Sequence, residues 1–115
     1  MSRLVLVVDD EPLILDLTAS MLEDLGCDVV TADGGADALA KLKADSRIEI
    51  LITDIQMPGL DGYELAEKAK RERPELLVIV CSGRATAECG LPLIRKPFTR
   101  ECLARVMAQT TGLCR

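Results

Sequence analysis

Histidine is absent from the 115-residue sequence, so cysteine has no imidazole partner for a mixed zinc site. The five cysteines, Cys27, Cys81, Cys89, Cys102 and Cys114, contain no close pair with metal-finger spacing. Their odd count, without a leader segment, predicts reduced thiols and a cytoplasmic setting. No apolar run approaches the length of a bilayer crossing, and no membrane insertion is expected. A positive excess is missing as well: 14 Lys and Arg against 19 Asp and Glu give a formal net charge of −5, which removes any general attraction to nucleic acid or an anionic membrane. Lys68, Lys70, Arg71 and Arg73 form one basic cluster, but interleaved acids mark it as the solvated face of a helix. Internal repeats and low-complexity segments are also missing.

What is present suits one globular domain spanning residues 1–115. Apolar residues make up 49% of the chain, enough to build a core without disulfide or metal staples. Continuous apolar runs predict strands over Leu4 to Val8, Cys27 to Thr31, Glu49 to Thr53, Leu76 to Cys81 and Leu91 to Arg95. Helices are predicted between them. The first begins near Pro12, with Ile14, Leu17, Thr18, Met21 and Leu25 on its inner face, and ends at Gly26. The second runs from Asp37 to Ala44 and the third from Tyr63 to Arg73, where Pro74 stops it. A last helix is capped by Thr99 and continues to about Gln109, with Leu103 and Val106 facing inward. The alternating order predicts an α/β fold, one parallel sheet between two helical layers. Between Ser82 and the fifth strand, residues Gly83 to Gly90 are too few for a full crossover helix. The fourth helix is therefore expected to be shortened or missing.

The polar residues at the strand ends carry the chemistry. Asp9 and Asp10 follow the first strand, Asp54 the third, Ser82 the fourth, and Lys96 with Pro97 the fifth. A parallel sheet brings all of these ends to one edge. Three adjacent carboxylates repel one another unless a cation lies between them. Oxygen ligands without histidine or cysteine suit a hard ion, most naturally Mg²⁺. Lys96 is expected to reach toward Asp54, pairing with a carboxylate or a phosphoryl oxygen. Ser82 has a hydroxyl able to donate to phosphate.

With VVDDEP, LITDIQMPGLDGYEL, CSG and RKPF in this order, the chain resembles the receiver domain of two-component signalling proteins along essentially its whole length. That resemblance implies a doubly wound, flavodoxin-like, five-stranded sheet of strand order 2-1-3-4-5. It implies Asp54 as phosphoacceptor, and Asp9, Asp10 and Asp54 with the backbone carbonyl of Gln56 as the Mg²⁺ ligands. Ser82 takes the position of the switch hydroxyl and Lys96 that of the receiver lysine. The implied activity is transfer of a phosphoryl group from a phosphohistidine to Asp54, followed by self-catalysed hydrolysis, rather than conventional enzyme turnover. The implied partners are a sensor histidine kinase or a histidine phosphotransfer protein, together with a downstream protein target. Gln56 and Arg84 hold the positions two residues beyond the acceptor and the switch serine, where receivers tune access of water.

The sequence departs from the receiver pattern at Leu93, where an aromatic residue is usual three positions before the lysine. A leucine offers no ring to rotate, so ordering of the Ser82 to Leu91 loop is expected to take its place. Four other readings compete: a receiver segment of a hybrid histidine kinase, a receiver-like binding module without phosphate turnover, a Mg²⁺-dependent phosphatase, and a flavin-binding electron carrier. The intact set of Asp9, Asp10, Asp54, Ser82 and Lys96 opposes the binding module, and no second acid/base or DxD motif favours the phosphatase. A flavin carrier of the same fold is opposed by the loop after Val8, which has no phosphate-cradling Gly or Ser/Thr run.

Overall fold

Alternation along the central strands divides the core in two. The computed structural model describes residues 3–54, 62–82, 93–95, 101 and 103–105. Its elements are β1 (Leu4–Val8), α1 (Pro12–Asp24), β2 (Asp28–Ala32), α2 (Gly35–Ala44), β3 (Ile48–Asp54), α3 (Gly62–Glu72), β4 (Leu77–Ser82) and β5 (Leu93–Arg95). Leu6 and Val8 of β1, with Leu51 of β3 and Val78 and Val80 of β4, pack against Ala38 and Leu42 of α2 and Leu65, Ala66 and Ala69 of α3. The intervening residues Val5, Val7, Ile50, Ile52, Ile79 and Cys81 pack with Leu22 of α1 and Leu103. A period of two thus gives each strand an apolar face on both sides, and helices cover each. Residues 101 and 103–105 are helical, within the span expected for the last helix.

All pairings are parallel, and the sheet runs β2-β1-β3-β4-β5. The β1–β3 register shifts once: Leu4 lies opposite Ile48 but Val5 opposite Ile50. The extra residue, Glu49, turns outward and pairs with Arg3 at 3.0 Å. At the same end of the sheet, the Arg73 guanidinium donates to the carbonyls of Asp45 (3.3 Å), Ser46 (2.9 Å) and Ile48. It ties the end of α3 to the turn before β3.

Gly26 ends α1 as predicted, at φ +90°, which only glycine adopts without strain. Its N–H donates to Glu23 O and that of Cys27 to Leu22 O, both at 3.0 Å, satisfying carbonyls of the last turn. The predicted inner face of α1 needs correction. Thr18 and Leu22 are buried, whereas Leu17 and Leu25 are 53% and 37% exposed. The contact line therefore runs through Leu15, Thr18, Met21 and Leu22, rotated from the one expected. Cys27 precedes β2 rather than opening it, and α2 begins at Gly35, two residues before the predicted start. The crossover at 83–92, where a shortened helix is expected, lies outside the described residues.

Candidate functional site

The three aspartates meet because two neighbouring strands end level. Val8 pairs with Thr53, so Asp9 and Asp54 each stand one residue beyond the last β1–β3 pair. The Asp9 N–H donates to Ala32 O at 3.2 Å, extending the β1–β2 ladder and holding Asp9 at the sheet end. Asp9 Oδ1 accepts from the Glu11 N–H at 3.0 Å. Glu11 is the residue that caps α1, and Pro12 follows it at the first helical position. One aspartate thus closes the turn and serves the helix entry together. Asp54 closes β3 and pairs in register with Cys81, while Thr53 Oγ1 donates to the Asp54 carbonyl at 3.1 Å.

One carboxylate oxygen from each of Asp9, Asp10 and Asp54 lies within 4.8 Å of the others. Asp9 is 4% and Asp54 7% exposed, whereas Asp10 opens to solvent. Two buried carboxylates and one open to solvent make an oxygen-only group that could hold a metal ion. The donor set fits a hard cation, since every ligand is a carboxylate oxygen.

Of the other expected site residues, Ser82 ends β4 and pairs with Arg95 of β5. This places its backbone at the same edge of the sheet, two residues past the one opposite Thr53. Gln56, Arg84 and Lys96 lie outside the described residues. Sequence reasoning missed Thr53 and the two backbone groups that fix Asp9, the Ala32 carbonyl and the Glu11 amide. A polar residue inside the apolar run ILITD was the available signal for Thr53.

The response regulator receiver domain family matches residues 5–104. The chain is 48% identical to protein PilG of Pseudomonas aeruginosa over 107 residues, covering 84% of this chain and 78% of PilG. It is 32% identical to sensor protein GacS of Pseudomonas syringae pv. syringae over 95% of its own length, which spans 13% of GacS. It spans between 12% and 48% of four further curated sensors and regulators. Among solved structures, it superposes on the response regulator TrrA of Thermotoga maritima, determined in complex with Mg²⁺-BeF, with a TM-score of 0.86. That match has 27% identity and covers 94% of this chain and 98% of TrrA.

Proposed function

The chain belongs to the response regulator receiver family, and from that premise we propose that Asp54 accepts the phosphoryl group. It is a phospho-accepting domain whose acidic cluster suits phosphotransfer and signalling through protein contacts. The observation that carries the assignment is the convergence of Asp9, Asp10 and Asp54 within 4.8 Å, with Asp54 alone at the end of the central strand β3.

In this reading an Asp54 carboxylate oxygen forms a bond to phosphorus as the bond from phosphorus to the donor imidazole nitrogen breaks. The sequence has no histidine, so the phosphohistidine lies outside it. Asp9 and Asp10, with Asp54 and the Gln56 carbonyl, would hold Mg²⁺, which supplies positive charge for the phosphoryl oxygens. Lys96 adds a second positive charge, and the Ser82 hydroxyl donates to a phosphoryl oxygen once Asp54 is modified. Water later attacks phosphorus, the bond from phosphorus to the Asp54 oxygen breaks, and inorganic phosphate leaves the free carboxylate behind. The Mg²⁺-BeF complex of the similar TrrA supports the choice of metal.

The donor is a histidine kinase or phosphotransfer protein, and α1 is the face offered to it. Leu13 and Leu17, one turn apart beside the acidic cluster, are 83% and 53% exposed. The helix has no lysine or arginine between Pro12 and Asp24. An apolar ridge on an acidic helix suits a partner helix with apolar and basic residues. We assign the whole of 1–115 to one cytoplasmic receiver domain, doubly wound and five-stranded, with a shortened fourth crossover. The match inside GacS favours a second reading, in which the chain serves as the receiver segment of a hybrid sensor kinase.

Intact-mass analysis tests the assignment. With Mg²⁺ and acetyl phosphate, or a phosphorylated histidine protein, the parent gains one phosphoryl group of about 80 Da. Asp54→Asn does not. Equal gain in the variant would refute Asp54 as acceptor.

A further inference from the structure

β2 is an edge strand, with β1 on one side and no described strand on the other. Its backbone directions follow from two bonds. The Asp28 N–H donates to Arg3 O at 2.9 Å and Ala32 O accepts from the Asp9 N–H at 3.2 Å, so both residues point toward β1. Alternation then sends the N–H and C=O of Val29 and Thr31 to the open side. The strand reads DVVTA, with two valines and a threonine at its centre. Such a sequence at an open edge is a template for pairing with another chain.

The outward directions are also self-complementary. In an antiparallel pairing of two copies about a two-fold axis at Val30, Val29 of each copy lies opposite Thr31 of the other. These are the residues whose N–H and C=O groups face outward, and they would exchange bonds in both halves of the ladder. Thr31 C=O is one of the two acceptors that each half requires. That carbonyl is already taken. Lys41 of α2 donates to it from Nζ, and Asp37, one turn earlier, holds the same ammonium at 3.2 Å.

We propose that Lys41 guards the β2 edge, occupying the Thr31 carbonyl and setting a charged group where the β2 strand of a second copy would dock. The ion pair with Asp37 fixes the guard in place. Nothing in this role depends on phosphorylation, and it lies outside the acidic cluster.

Lys41→Met keeps the length of the side chain and removes its ammonium. By light scattering across a concentration series, the variant is expected to reach a two-copy mass at a concentration at least about tenfold below the parent. Amide exchange at Val29 and Thr31 should slow in the same samples. Lys41→Arg should behave as the parent. Adding Val29→Pro to Lys41→Met removes an outward N–H without touching the β1 ladder, and should restore the single-copy mass. Circular dichroism establishes folding, and Lys41→Gln stands in for Lys41→Met if the latter does not fold. Identical masses for parent and uncharged variant at every concentration would overturn the proposal. So would a dimer in which Val29 and Thr31 exchange as before, or one that survives Val29→Pro.

Discussion

Neutralising Asp10 should stabilise the metal-free protein while weakening its response to Mg²⁺. Two unit charges 4.8 Å apart repel by about 0.9 kcal/mol in a dielectric of ~80 and by about 3.5 kcal/mol at ~20. Asp10 is exposed, so the lower figure governs it, and its two pairs with Asp9 and Asp54 amount to about 1.7 kcal/mol. Against this stands the loss of a negative charge near the N-terminus of α1, worth about 0.5 kcal/mol. The net expectation for Asp10→Asn is a gain of about 1 kcal/mol in EDTA. Bound metal reverses the balance, because a ligand at ten times its dissociation constant stabilises the folded state by about 1.4 kcal/mol. Urea unfolding reads both effects. For a domain of this size 1 kcal/mol moves the midpoint by roughly 0.5 to 1 M. The variant should unfold later than the parent in EDTA and gain less from Mg²⁺. If it unfolds earlier in EDTA and gains as much from Mg²⁺, the three carboxylates do not form a repulsive cation site.

Three further outcomes are expected. Leu13→Ser with Leu17→Ser should slow phosphotransfer from a histidine protein at least tenfold while leaving acetyl phosphate labelling unchanged; loss of both rates would place the effect on folding or on the acidic cluster. Because both side chains already face water, unfolding stability should move by no more than about 0.5 kcal/mol for each. Arg73→Ala should cost about 2 kcal/mol in urea unfolding, since a side chain only 17% exposed leaves three carbonyls behind; Arg73→Lys should restore only part, lacking the planar fork. The Asp45 carboxyl is lowered from 3.8 to about 2, chiefly by the side-chain hydrogen bond from Arg47. Its folded value lies below the unfolded one, so its contribution is complete above about pH 4 and lost as pH falls through about 2. Arg47→Ala should return the titration, followed by carboxyl NMR, toward 3.8.

Strand identity and the place of the acidic residues were legible because β1, β3 and β4 are predominantly apolar runs with a polar residue at the carboxyl end. Such a run has no other way to bury both faces, and parallel crossovers put the ends together. The inner face of α1 was not legible. Leu13, Ile14, Leu15, Leu17, Met21, Leu22 and Leu25 spread apolar groups over about 200° of the helix, wider than the sheet covers. The choice among them was made by the sheet, which took Leu22 and Thr18 and left Leu17 outside. The register shift at Glu49 lacks a glycine or proline to announce it. Arg73 read as part of a solvated basic cluster, yet its partners lie between 25 and 28 residues away in sequence. Cys27 read as a strand residue; it stands before β2, half-buried, where burial pushes its thiol up from the usual range.

The two ends of the sheet use charge in opposite ways, and the contrast separates stability from function. At the amino ends of the strands, Arg3 meets Glu49, and Arg73 meets Glu75 and three carbonyls. The groove between them, about 340 Å³, is lined by these same pairs and by Ile48, Leu76 and Leu77. There the Arg73 guanidinium, donating to backbone carbonyls, holds the turns before β3 and β4 together, and the two ion pairs flank it. At the carboxyl ends, three charges of one sign are pressed within 4.8 Å, two of them nearly excluded from water. A fold selected for stability alone would gain by placing asparagine or an apolar residue at one of these positions, as the Asp10→Asn arithmetic shows. In the proposed function that repulsion would be relieved from outside the chain, by a cation held among the three carboxylates, so that cation and phosphoryl group would change the energy of the folded state.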